Sequence, residues 1–190
     1  MKTNRSKKGF TLMELVIVIA IIGILLSVMI PTWGYFITKS RERNANSKAK
    51  IIFTAAQTEV TRIAAKERTM KSDEAFISNG EFCFYSHNGV GQKCAKDSGA
   101  AITPDKFAAN NASFSRAINR IAGEEGFYKV LVDNYIVQSV VYCNLESGRY
   151  KGTYPLTTDE LTDADLATIR SGSINTINMS LMAAKPAEEE

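Results

Sequence analysis

The run from Phe10 to Ile30 constrains this chain more than any other stretch: 21 consecutive residues in which Glu14 is the single charged side chain. As a helix rising ~1.5 Å per residue, it spans the ~30 Å hydrocarbon core of a bilayer. Lys2, Arg5, Lys7 and Lys8 precede it. Basic flanks stay cytoplasmic, so the N-terminus is expected inside and the rest of the chain outside. A secretory signal peptide shares this basic start and apolar segment, but it ends in a small-x-small cleavage site. Here the run ends in Val28-Met29-Ile30-Pro31-Thr32-Trp33, which is bulky and carries a proline. The segment is therefore expected to be retained.

Glu14 needs a partner. A carboxylate in an apolar run costs on the order of 2.5–3.5 kcal/mol at mid-bilayer and less near an end. Cleavage between Gly9 and Phe10 would create an α-amine four residues away on the same helix face. Such an amine is largely protonated near neutral pH, and the first turn of a helix favours a carboxylate in any case. The competing expectation is that Glu14 pairs only within its own chain, or snorkels to the interface.

Lys8-Gly9-Phe10-Thr11-Leu12-Met13-Glu14, followed by the long Ile/Val/Leu run, resembles the N-terminal signature of type IV pilins and the related pseudopilins. The resemblance covers about Lys7 to Pro31. It implies that a prepilin peptidase cuts after Gly9 and then N-methylates Phe10. It implies that Glu14 neutralises the N-terminal amine of a neighbouring subunit as a filament grows. The implied partners are that peptidase, further copies of the chain, minor pilins, an inner-membrane assembly platform and the cytoplasmic membrane. Gly9 suits a cleavage site on its own chemistry, because a backbone without Cβ can be approached closely and bent freely.

Pro31 interrupts what should be one continuous helix, removing a backbone bond and crowding the carbonyl of Ser27. Ser27 is expected to bond back to the Gly23 carbonyl, and glycine is itself a weak helix residue. Gly23–Pro31 is thus a weakened stretch. In the family the matching stretch can lose helicity when subunits pack; a gentle kink is the alternative, and both stay open. From Thr32 to about Arg68, Ala45, Ala49, Ile52, Ala56, Val60 and Ile63 recur at spacings of three and four, an apolar stripe on a helix. The opposite face carries Arg41, Arg43, Lys48, Lys50, Arg62 and Lys66. That face reads as solvated or lipid-facing, or as a contact with acidic residues of neighbouring subunits. Without interleaved aromatics it gives little reason to expect nucleic acid. The overall charge of +3 gives no more, since four cations lie in the leader and leave with it.

The head is expected to begin near Met70. Glu81–Ser86 has strand chemistry, and His87–Gln92 after it reads as a flexible loop. Thr103-Pro104 starts a helix with Phe107, Phe114, Ile118 and Ile121 on one face and Gly123 as its stop. Residues 127–132 and 135–143 are the strongest strands, with Asp133-Asn134 as the turn between them. Arg149–Tyr154 extends the meander, and Ile174–Met182 reads as a further edge strand. Thr162-Asp163-Ala164-Asp165 resembles a helix cap, and Lys185–Glu190 a frayed tail. The fold class is α+β, a long N-terminal helix packed against an antiparallel sheet.

Three cysteines, Cys83, Cys94 and Cys143, cannot all pair within one chain. Cys83–Cys94 would close the glycine-containing loop and Cys83–Cys143 would staple two strands; one disulfide involving Cys83 is expected, its partner open. Many pilins carry a disulfide near the C-terminus, but this chain has no cysteine after Cys143. Asp159, Asp163 and Asp165 form a weak calcium candidate, although capping already accounts for two of them. His87 is the only histidine, which argues against a His-based triad and a multi-His zinc site; Cys83 and His87 share one strand face, but nothing marks the cleft and orienting partner a Cys–His nucleophile needs. No phosphate-cradling glycine motif appears, so no enzyme and no cofactor is expected.

The expected organisation is a cleaved leader (1–9), a membrane and filament-core helix (10–31), its amphipathic continuation (32–70) and a globular head (71–190). The expected function is that of a structural pilin subunit. A minor pilin, or a pseudopilin of a type II secretion or DNA-uptake system, is the alternative. The expected location is a single-pass precursor in the cytoplasmic membrane, then an extracellular pilus or a short envelope-spanning pseudopilus.

Overall fold

The computed structural model describes residues 9–69, 71, 75–77, 81–87, 90–97, 108–123 and 126–182, the side chains of Pro31, Ala108 and Ala109 excepted. The basic leader residues, Met70, Thr103-Pro104, Phe107 and the tail from Lys185 lie outside the described residues. The chain divides into two compact units, one ending at Ser40 and one beginning at Arg41. Helix α1, Leu12–Glu67, contributes to both.

In the first unit α1 is apolar and exposed all round. Every residue from Leu12 to Ile30 lies outside any protein core, as expected of a helix whose apolar surface is meant for lipid or for other helices. Helix geometry continues through Pro31. Ser27 Oγ donates to the Ile24 carbonyl at 2.7 Å, not to Gly23 as the sequence suggested. A serine hydroxyl reaches an i−3 carbonyl as readily as an i−4 one. Thr32 Oγ donates to the carbonyls of Val28 and Met29 at 3.2 and 3.0 Å, adding side-chain bonds to the turn that proline weakens.

In the second unit the rest of α1 lies against a five-stranded antiparallel sheet. The strands are β1 (Glu81–His87), β2 (Val90–Cys94), β3 (Phe127–Asp133), β4 (Ile136–Cys143) and β5 (Lys151–Tyr154), in the order β2-β1-β3-β4-β5. The stripe of Ala45, Ala49, Ile52, Ala56 and Val60 is buried against one sheet face, with Ile63 partly so. Helix α2 (Ala108–Ala122) joins it through Phe114 and Ile118. Ile121, expected on that face, is exposed instead; three residues past Ile118 it overshoots a stripe that continues through Ala122. Alanines let the helix backbone approach closely. At the extreme, a Cβ added to Gly152 of β5 would lie 2.0 Å from the Ala45 carbonyl atoms.

Two amides of α1 tie it to sheet backbone that would otherwise lack partners. Asn46 Oδ1 accepts from Thr153 N at 3.0 Å, and Gln57 Oε1 accepts from Val137 N at 2.8 Å. At the β3–β4 turn the two-residue loop is Asn134-Tyr135, both at positive φ, not Asp133-Asn134. Asp133 stays in the ladder opposite Ile136. A tight hairpin of this kind needs left-handed backbone at both loop positions. Tyr135 takes that conformation with its hydroxyl on Glu67 Oε2 at 2.8 Å.

The other sheet face is covered too, which the sequence did not suggest. Helix α3 (Asp163–Ser171) and two short 3-10 turns, Ile174–Thr176 and Met179–Met182, lay Ile169, Ile174, Ile177, Met179 and Met182 over Cys83, Leu131, Val141 and Cys143. The expected edge strand at Ile174–Met182 is therefore those turns; apolar residues three apart meet on one side of a 3-10 turn. Strand β2 replaces the expected loop after His87. Gly91 interrupts its pattern because the Phe84 ring would lie 2.1 Å from any Cβ there. Lys129, fully buried on this face, donates to the carbonyls of Lys96, Asn175 and Ile177 at 2.8–3.0 Å. A buried ammonium with three donors and three acceptors is satisfied, and it clamps the C-terminal segment to the sheet.

Candidate functional site

The site lies at the start of α1. Gly9 and Phe10 precede the helix and are exposed, Phe10 by 88%. Thr11 is the cap. Its hydroxyl accepts from Glu14 N at 3.3 Å, and Glu14 Oε2 turns back to accept Thr11 N at 2.9 Å and Thr11 Oγ at 3.0 Å. This reciprocal arrangement satisfies donors that a helix start leaves open. The Thr11-x-x-Glu14 spacing that signals it was present in the sequence, where the cleavage pattern drew attention first. Within the chain as it stands, the carboxylate holds Thr11, two residues past Gly9. Among the described residues no atom lies within 4 Å of a Cβ added at Gly9.

The remaining candidates lie in the second unit and are not gathered into a site. Cys83, Cys94 and Cys143 are all free and buried. Among the described residues no three His, Cys, Asp or Glu side chains converge on a metal position. The calcium candidates are thus not brought together: Thr162 caps α3 with its hydroxyl accepting from Asp165 N at 3.2 Å and donating to Asp165 Oδ2 at 2.7 Å. His87 stacks on Phe127, ring centroids 4.5 Å apart, and lies four residues along β1 from Cys83, ~13 Å at strand rise. They form no nucleophile–base pair. The basic face of α1 is partly used within the unit: Lys48 donates to the Ala122 carbonyl, Arg62 pairs with Glu59, and Arg41 lies over the Tyr150 ring. A cleft of about 840 Å³ beside Arg41, Lys48 and Arg149 is lined by neither His87 nor a carboxylate among the described residues.

Comparison with known proteins bears on the first unit above all. Residues 4–30 match the family described as "Prokaryotic N-terminal methylation motif". The chain is 44% identical over 52 residues to the type IV major pilin protein PilA of Myxococcus xanthus, covering 27% of this chain and 24% of that protein. It is 41% identical over 71 residues to the type IV major fimbrial protein FimA of Dichelobacter nodosus, covering 37% and 41%. The match thus spans well under two thirds of either relative. A longer, weaker match, 26% over 145 residues, joins it to the type IV major alpha-pilin of Moraxella bovis, over 76% of this chain and 89% of that protein. No solved structure matches significantly. The chain thus carries this methylation motif at the start of a long apolar helix that leads into an α+β head, and it is similar there to type IV pilins.

Proposed function

We propose that the chain is a structural filament subunit without enzymatic activity, made as a membrane-anchored precursor and assembled into a pilus through α1. The observation that carries this reading is the helix from Leu12 to Ile30, apolar and wholly unburied among the described residues, which forms most of the matched methylation motif. Burying such a side chain contributes roughly 1.5–3 kcal/mol. The fifteen large apolar side chains exposed from Leu12 to Ile30 must therefore be covered by lipid or by copies of the same helix. Both states are needed of a subunit that waits in a membrane and then enters a filament. Prepilin peptidase cuts between Gly9 and Phe10 and methylates the new Phe10 amine, and the leader (1–9) departs.

In the filament Glu14 serves as counter-charge to the Phe10 amine of a neighbouring subunit. Its bonds to Thr11 hold the carboxylate at the helix start, where the amine of a packed neighbour can reach it. Gly23 and Pro31 mark the stretch able to unwind as helices pack. The head, which we take as residues 71–190 on the amphipathic continuation 32–70, stays outside. The relatives named above are major pilins or fimbrial proteins, which favours a major subunit over a minor pilin or pseudopilin. The assembly platform and minor pilins are the further partners this role requires.

The test is Gly9→Val. The expected result is an uncut precursor held in the membrane and no surface filaments. Normal cutting of that variant overturns the proposal. Loss of protein export or DNA uptake on deletion, with no sheared filament containing the chain, would assign it to a pseudopilus instead.

A further inference from the structure

We infer that Cys83 and Cys94 form a disulfide pinning the outer strand β2 to β1, while Cys143 stays a thiol. The register is the first argument. Cys83 and Cys94 are directly opposed partners in the β1–β2 ladder. Opposed residues in an antiparallel pair have Cα atoms about 4.5–5.5 Å apart, within the 4.4–6.8 Å that a disulfide usually spans. Both side chains lie in the cluster on the sheet face covered by the 3-10 turns.

The same ladder excludes Cys143. Its rung crosses β3 at Phe127 and β1 at His87, four residues along from Cys83 and two strands away. At ~3.3 Å per residue and ~4.8 Å per strand the separation is on the order of 16 Å, far beyond the ~7 Å limit for bridging. Cys143 instead donates to the Tyr150 carbonyl at 3.3 Å.

The surroundings favour the reaction and give it a consequence. Cys94 lies on the outer strand β2, and its thiolate opens the exchange. It displaces one sulfur of a disulfide-bearing thiol oxidoreductase outside the cytoplasm, forming a mixed disulfide. Cys83, giving up its proton, then attacks Cys94 Sγ and expels the carrier's other thiolate. Two thiols are oxidised, and the carrier leaves as a dithiol with both protons. Because both cysteines are buried in the finished head, the exchange belongs to the stage before the C-terminal segment docks. Two residues past Cys94, the Lys96 carbonyl accepts both from Lys129 and from Met179 N. A crosslink at Cys94 thus also fixes the acceptor on which that segment closes. The inference rests on the proposed location of the head outside the cytoplasm.

The experiment takes full-length protein from cells without reductant, alkylates it after denaturation, and maps tryptic peptides together with the mature N-terminus. Peptide 72–93 is expected joined to Cys94-Ala95-Lys96, with Cys143 alone alkylated. Reductant should lower the thermal midpoint by roughly 6–10 °C, as closure of a loop of about 12 residues implies. Cys94→Ser should show the lower midpoint without responding to reductant, and Cys143→Ser should respond like the unsubstituted protein. Three equally alkylated cysteines, or linkage through Cys143, in protein beginning at Phe10 would overturn the crosslink and leave the filament role standing. The Cys83–Cys94 linkage in protein with an intact leader would support the crosslink and count against that role.

Discussion

Glu14 shows how one residue can carry two assignments. In the isolated chain Oε2 of its carboxylate accepts from Thr11 N and Oγ, so a helix cap accounts for it without a second molecule. Its apolar surroundings are what a cap alone leaves unexplained, since a cap works as well in water. Glu14→Leu should therefore still insert and be cut, yet sheared filament should fall at least tenfold, because a buried amine without counter-charge is strongly destabilising. Yield equal to that of the unsubstituted protein would reduce Glu14 to its local role. Tyr85 makes a residue-scale prediction in the head. Burial, with Glu146 beside its hydroxyl, pushes the phenol above its ordinary value of about 10. A raised folded-state value stabilises fully below the unfolded value and is lost as pH rises through the folded one. Head stability should thus decline from about pH 10 upward. In Tyr85→Phe that decline should be shallower by up to ~1.4 kcal/mol per pH unit, read from urea midpoints. An unchanged slope would contradict the assignment. Tyr128, raised mainly by burial, keeps part of the slope in the variant.

At the scale of elements, the contact of α1 with β5 is the tightest in the second unit. Gly152→Ala would drive a Cβ into the Ala45 backbone, which cannot yield as a flexible side chain could. The expected cost is about 1–3 kcal/mol, seen as a thermal midpoint lower by several degrees; an unshifted midpoint would show that β5 is free to move away. What could be read from the sequence divides along the same physical line. The α1 stripe was legible from its helical period, and β1, β3 and β4 from unbroken apolar, aromatic and β-branched runs that suit burial on both sheet faces, with β5 continuing the meander. Strand β2 was not, since Gly91 there answers to the Phe84 ring, a neighbour invisible along the chain. Nor were the 3-10 turns: Ile174, Ile177, Met179 and Met182 alternate loosely enough to pass for an edge strand. The turn at Asn134-Tyr135 was displaced by one residue because tyrosine is a poor guess for left-handed backbone. Only the bonds from Gln57 and Glu67 show how the fold holds it. At the helix start the cleavage pattern was plain, whereas the cap formed by the same residues was passed over.

For the molecule as a whole, the two units answer different demands. The second buries its own core: a sheet covered on both faces, buried lysines with carbonyl partners, and α1 amides bonded to strand backbone. The first does not, because its apolar helix is unburied among the described residues. That contrast fits the proposed filament subunit, whose proposed assembly chemistry lies at Gly9, Phe10 and Glu14. The most direct measurement is the mass of the N-terminal peptide from filaments sheared off the cell surface. The account predicts a peptide beginning at Phe10 and carrying one added methyl group on its amine. A chain that begins at any other residue, or is released to the medium without residues 10–30, would contradict it.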